Sequence, residues 1–391
     1  MHINPGGRLA VNEIVGRDEQ IGRYWEILER QGLILTGERR IGKSHIVFKM
    51  NEEGRTGFVT SYQELEGVRS TTELISSLYR AVGPNLSRVA RWKTRALDAW
   101  QVLAPKRIGE LDLPNADRLW KDLLTNAVQD ILRTLDAGEK FLLVWDEFPL
   151  MIDNIKKSEG PQKAMQLLDL LRHLRQVHAG QLRMLITGSI GLHLVLKSLR
   201  DAGHTNSPVN DMYPETVPPL EHDPSVQLAR ALLCTLVPLP QDVDAIAERT
   251  HDMVGGFPFY IHHVADQLKL LGRQAVATDV SAAVDKLLLA DNDPANLNYY
   301  VERIHTHYDV ADQELALHVL DSLAAAARPA QLSEIVNLVR QNGLNVSDEA
   351  VRGACRALKQ DHYLTTVVID GLPYYDFRWG FIKCWWRRNR L

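Results

Sequence analysis

One eight-residue string constrains this chain more than any other. Gly37-Glu38-Arg39-Arg40-Ile41-Gly42-Lys43-Ser44 satisfies the pattern Gly-x4-Gly-Lys-Ser/Thr in full. It follows the apolar run Leu33-Ile34-Leu35-Thr36 and precedes a helix-like stretch, His45 to Met50. That context matters more than the letters, because such a loop works only where a strand hands over to a helix N-terminus. Gly37 and Gly42 let main-chain N–H groups close around phosphate oxygens, and the helix dipole adds favourable potential. In this cradle Lys43 bridges the β and γ phosphates of a nucleoside triphosphate such as ATP, and the Ser44 hydroxyl joins the coordination of Mg²⁺. The expected nucleotide contacts are the whole loop with His45.

A second acidic element completes the site. Phe141-Leu142-Leu143-Val144-Trp145 reads as a buried strand that ends in Asp146-Glu147. Acids at the C-terminal end of such a strand face the ligand crevice of an open α/β sheet. Asp146 is expected to hold Mg²⁺ through its water shell, and Glu147 to orient or deprotonate an attacking water. The next run, Arg183-Met184-Leu185-Ile186-Thr187, ends at Gly188-Ser189, which places Ser189 where a hydroxyl could sense the γ-phosphate.

The remaining organisation fits an α/β class. Short, nearly continuous apolar runs at 33–36, 57–60, 141–145 and 183–187 are what strands covered on both faces require. The turn-rich stretch around 203–219 marks a boundary, so the expected domains are 1–215, a parallel-sheet P-loop core; 216–295, an all-helical lid; and 296–391. The last of these predicts a winged helix: helices over 311–327, from Ser333-Glu334 to Gly343, and after Ser347, then strands flanking Asp370-Gly371. Three scattered cysteines in 391 residues exclude a disulfide framework or a Cys-x-x-Cys metal knuckle. His262-His263 and His305/His307 lack a ligand set and read as structural. Neither a secretory signal nor a run of 18 apolar residues occurs, so a soluble, cytoplasmic chain is expected.

Together these residues resemble the STAND and archaeal-type ATPases of the AAA+ class, which are related to origin-recognition and Cdc6 proteins. Besides the two phosphate-site motifs, Ile14-Val15-Gly16-Arg17-Asp18-Glu19 is similar to the family's box beside the adenine pocket, and Thr187-Gly188-Ser189 to its sensor 1. Gly256-Phe257-Pro258 resembles the GxP signature of the lid. The resemblance implies contacts from Arg17 and Pro258 to ATP, slow hydrolysis, and a lid and winged helix that close on nucleotide, often with self-association. This chain lacks the repeat array and effector domain of large STAND proteins, which implies a separate effector protein. An arginine finger would be Arg200 or Arg303.

The net charge is −4, so nucleic acid could be held only by a local patch. Arg352, Arg356 and Lys359 share one face of the third winged-helix helix and could read DNA or contact a protein. Two further basic clusters occur. One is Arg80 to Arg107 around Trp92 and Trp100; the other comprises Arg378, Lys383, Arg387, Arg388 and Arg390. The alternative function is thus a DNA-binding regulator or loader in which ATP is mainly structural.

Overall fold

The computed structural model describes residues 1–82, 116–188 and 191–391. These divide into two compact units, Arg17–Thr36 with Lys43–Val217, and Met1–Gly16 with Gly37–Gly42 and Pro218–Leu391. We call them the sheet unit and the helical unit. No helix among the described residues is long and apolar enough to cross a membrane.

The sheet unit runs α1 (Asp18–Arg30), β1 (Gly32–Thr36), α2 (Lys43–Glu53), β2 (Phe58–Glu64), α3 (Thr71–Val82), α4 (Ala116–Leu132) and β3 (Lys140–Asp146). It continues with α5 (Phe148–Glu159), α6 (Pro161–Val177), β4 (Leu182–Thr187), α7 (Leu192–Asp201) and β5 (Met212–Thr216). Among the described residues the five strands form a parallel sheet ordered β2-β3-β4-β1-β5. The chain is an α/β protein with a P-loop-type core, as its strand pattern predicts. Strands β3 and β4 are buried almost throughout because Leu143, Trp145, Met184 and Ile186 pack under the helices that cover the sheet.

Two departures from the sequence reading have simple causes. Strand β2 extends to Glu64 because its polar residues find partners: the Trp145 indole donates to Gln63 Oε1 at 2.7 Å in the core. And the turn-rich boundary stretch contains β5, an edge strand paired only with β1 among the described residues; its Pro214 is tolerated because an edge needs fewer ladder donors. Arg183, inside the apolar β4, is buried because its guanidinium donates to the carbonyls of Leu28 (2.7 Å) and Glu29 (2.9 Å), which the end of α1 leaves unpaired.

The helical unit contains α8 (His222–Leu233), α9 (Val243–Val254), α10 (Pro258–Lys269), α11 (Ala277–Leu288) and α12 (Tyr299–His307). There follow α13 (Val310–Ala325), α14 (Leu332–Gln341), α15 (Asp348–Gln360), the hairpin β6 (Leu364–Ile369) and β7 (Leu372–Phe377), and α16 (Gly380–Arg390). Gly255 ends α9 in the left-handed region (φ 68°), and Pro258 opens α10. Gly256 between them is obligatory: at φ 77° a Cβ would lie 2.3 Å from the Leu220 carbonyl oxygen. Ser347 caps α15 by accepting from the Ala350 N–H at 3.1 Å. Asp370 (φ 51°) and Gly371 (φ 77°) supply the two positive φ values of the tight turn that their sequence predicts.

The terminal basic cluster is partly paired within its own unit. Lys383 pairs with Asp376, Arg388 with Asp285 and Arg390 with Asp321, while the buried Trp386 also donates to Asp321. Most of that charge is met by carboxylates of the same unit, which leaves little for phosphate. Of the other cluster, Arg80 is exposed on α3, and the rest lies outside the described residues.

Candidate nucleotide site

In the sheet unit, β1 ends at Thr36 and α2 begins at Lys43, whose side chain is buried, with Ser44 exposed in the first turn. That turn carries no acidic residue, so nothing in it offsets the positive end of the helix dipole. Asp146, 3% exposed, closes β3, and its Oδ1 accepts from the Glu147 N–H at 3.0 Å. Glu147 itself stands in the left-handed region (φ 56°, ψ 31°), a conformation that costs a non-glycine residue about 1 kcal/mol or more and is concentrated at functional sites. Gly188 is needed beside it. A Cβ there would fall 2.6 Å from the Pro149 ring and 3.5 Å from Glu147 Oε2.

Ser44 and Asp146 are hard oxygen donors of the kind Mg²⁺ selects, and among the described residues no cluster of His, Cys, Asp and Glu suggests another metal. The predicted sensor Ser189 lies outside the described residues. Two residues before it stands Thr187, the first residue of the sensor 1 resemblance, whose Oγ1 is buried with no hydrogen-bond partner among the described residues. Arg17, beside α1, is 2% exposed and donates to Gln20 at 2.8 Å; burial lowers its pKa to about 10. His45 is half-buried in α2.

In the helical unit, the loop takes the backbone its glycines allow. Gly37 (φ 142°), Arg40 (φ 66°) and Gly42 (φ 100°) are all positive in φ, and the fully buried Ile41 anchors it. A Cβ on Gly42 would meet nothing within 4 Å, so the space over that peptide is open. The three side chains between are each engaged. Arg303 Nη1 lies 3.9 Å from Glu38 Oε1, the Arg39 guanidinium sits 4.1 Å from the centre of the Tyr299 ring, and that of Arg40 4.5 Å from the Phe259 ring. Burial lowers the Arg40 pKa, and neighbouring Arg39 adds to the effect. Pro258 precedes Phe259 at the start of α10.

Arg303 belongs to a buried network. It forms a short ion pair with Asp361, which is fully buried and also accepts from the Tyr308 hydroxyl at 2.5 Å. Burial opposes the Arg303 charge, but Asp361 more than offsets it and holds the pKa well above the usual guanidinium value. This corrects the expectation that Arg303 might serve as an arginine finger, since a side chain 2% exposed and paired within its own unit cannot reach a neighbour's nucleotide. Arg200 is exposed at the end of α7. Arg352, Arg356 and Lys359 are exposed along α15.

No family model matches the chain, and no curated protein does. It is similar to the solved structure of a Walker-type ATPase of Pyrococcus abyssi, 17% identical, over 99% of this chain and 100% of that one, with a TM-score of 0.67. It also matches two Aeropyrum pernix structures. One is the ORC2 protein in ADPNP and ADP complexes (14% identity, 92% and 88% coverage, TM-score 0.48); the other is the ORC1 protein in complex with DNA (15%, 96% and 93%, 0.40). The first likeness gives the chain the fold of a Walker-type ATPase along its whole length: an α/β P-loop core with a helical C-terminal region.

Proposed function

We propose that this chain is an ATP-binding and hydrolysing switch, with residues 1–215 as ATPase core, 216–295 as lid and 296–391 as a winged helix that acts on assembly or on a partner protein. The observation that carries the reading is the engagement of three consecutive phosphate-loop side chains, Glu38, Arg39 and Arg40, by residues of α10 and α12. A ligand shifts a conformational equilibrium only through contacts that differ between the states. A triphosphate entering this loop meets a carboxylate it repels and two cations it attracts, so its arrival changes the balance of all three ties.

Lys43 neutralises phosphate charge, while main-chain N–H groups of the loop and the start of α2 grip the oxygens. Ser44 and Asp146 would hold Mg²⁺, which when bound shields the β- and γ-phosphate charge. Glu147, set by its left-handed backbone and Gly188, orients water and takes its proton. Arg17 and Pro258 are assigned to the adenine side, and Ser189 to sensing the γ-phosphate.

The test pairs phosphate release with mass in solution. Glu147→Gln should retain ATP, release phosphate at least about 100-fold more slowly than wild type, and hold the nucleotide-bound assembly state. Undiminished release from Glu147→Gln would remove this residue from the mechanism. Wild type that never releases phosphate would leave nucleotide only a structural role.

A further inference from the structure

We propose that the groove between α15 and the β6–β7 hairpin is a docking site for an acidic amphipathic helix of a partner protein. The inference rests only on that part of the functional reading which has the C-terminal module act on a protein, not on nucleotide chemistry.

The groove holds about 630 Å³. One wall is cationic: Arg352, Arg356 and Lys359 are all exposed and stand at i, i+4 and i+7 of α15. They therefore form one stripe about 10 Å long. No acidic residue lines the groove. Among the described residues the stripe's one ion pair is with Glu349, 3.2 Å from Arg352, and an exposed i,i+3 pair of that kind holds its arginine weakly.

The opposite wall is apolar. Leu372, Pro373 and Tyr375 line it, and the hairpin register places Val368 directly across from Pro373 on the same face, which extends the wall outward. Val368 is 70% exposed and Leu372 52%, so the rim presents aliphatic surface to water.

That pairing of walls selects the occupant. A duplex lying on α15 would bring its backbone to the hairpin, where winged readers need cations or neutral donors for phosphate. Residues 366–373, Thr-Val-Val-Ile-Asp-Gly-Leu-Pro, offer none of the cations and put Asp370 at the tip. Three cations alone also give little phosphate affinity at cellular salt. A helix with carboxylates at i, i+4 and i+7 matches the stripe in spacing and sign, and leucines one position on would meet Val368, Leu372 and Pro373.

The test uses the full chain and a fluorescent 15-residue synthetic helix with glutamates at i, i+4 and i+7 and leucines one position on, read by anisotropy at about 0.1 M salt. Wild type should bind it. Arg352→Glu with Arg356→Glu should weaken binding at least about tenfold, and Val368→Ser about threefold or more with little salt dependence. Because these positions are exposed, all variants should melt with wild type. Lys43→Ala should bind the peptide like wild type, which separates this site from the nucleotide reading. No binding by wild type overturns the proposal. So does equal binding of a peptide with lysine in place of glutamate, or tight, salt-sensitive binding of a 20-base-pair duplex lost on the same double replacement. A wild-type self-association abolished by that replacement would assign the groove to a second copy and likewise overturn it.

Discussion

Replacing Arg303 with methionine removes the guanidinium paired with Asp361, a fully buried carboxylate that also accepts from the Tyr308 hydroxyl. Breaking a buried ion pair from one side costs about 3–5 kcal/mol, since the surviving charge keeps its desolvation penalty and loses its compensation. The cost should fall locally on α12, which holds Arg303 and runs up to Tyr308, and on the end of α15, which leads into Asp361. A chain of two units need not unfold in one step, so the readout must be local as well. Hydrogen exchange of amides in these helices, resolved by mass spectrometry, should accelerate by roughly two to four orders of magnitude in Arg303→Met, while β3 and β4 exchange as in wild type. The double replacement Arg303→Met with Asp361→Leu should recover most of the protection, because two apolar residues carry no stranded charge. Less than tenfold acceleration in the single variant, or a double variant worse than the single, would refute the assignment of this network as the structural tie behind the phosphate loop.

Two further outcomes follow from local geometry and charge. Gly256→Ala, which forces a Cβ to 2.3 Å from the Leu220 carbonyl at φ 77°, should cost about 2–4 kcal/mol, whereas Gly255→Ala, with open space at φ 68°, should cost only about 1 kcal/mol; chemical denaturation of the two side by side checks this. His263 is buried against Phe259, and burial lowers its pKa to about 4. An unfolded histidine binds a proton near pH 6.5, so His263 contributes stability above that value and loses it as pH falls toward 4. After allowance for solvent screening the loss is roughly 2 kcal/mol, and His263→Leu should remove it; an identical pH dependence in wild type and variant would contradict this.

What was legible in the sequence follows from how local each signal is. Strands β1, β3 and β4 announce themselves because both faces are covered, which requires continuous apolar runs. Ser347, Gly255 and Asp370-Gly371 announce the ends of helices and a turn because capping and positive φ restrict residue type at single positions. Strand β5 was hidden because an edge strand needs few ladder donors and accepts Pro214. Arg303 was misread for a deeper reason. An arginine on a helix is normally solvated, and only the fold brings Asp361, 58 residues on, to neutralise it in the core. The same holds for the loop: the motif specifies its main chain, but nothing local shows that Tyr299 and Phe259 receive Arg39 and Arg40.

The most direct measurement is calorimetric titration of Mg²⁺ and ATP into wild type and Lys43→Ala at one salt concentration. A saturable site in wild type, weakened at least about 100-fold by removal of the ammonium, is the expected result. Equal affinity in the two proteins, or no heat from either, would contradict the assignment of the loop at 37–44 as a triphosphate cradle.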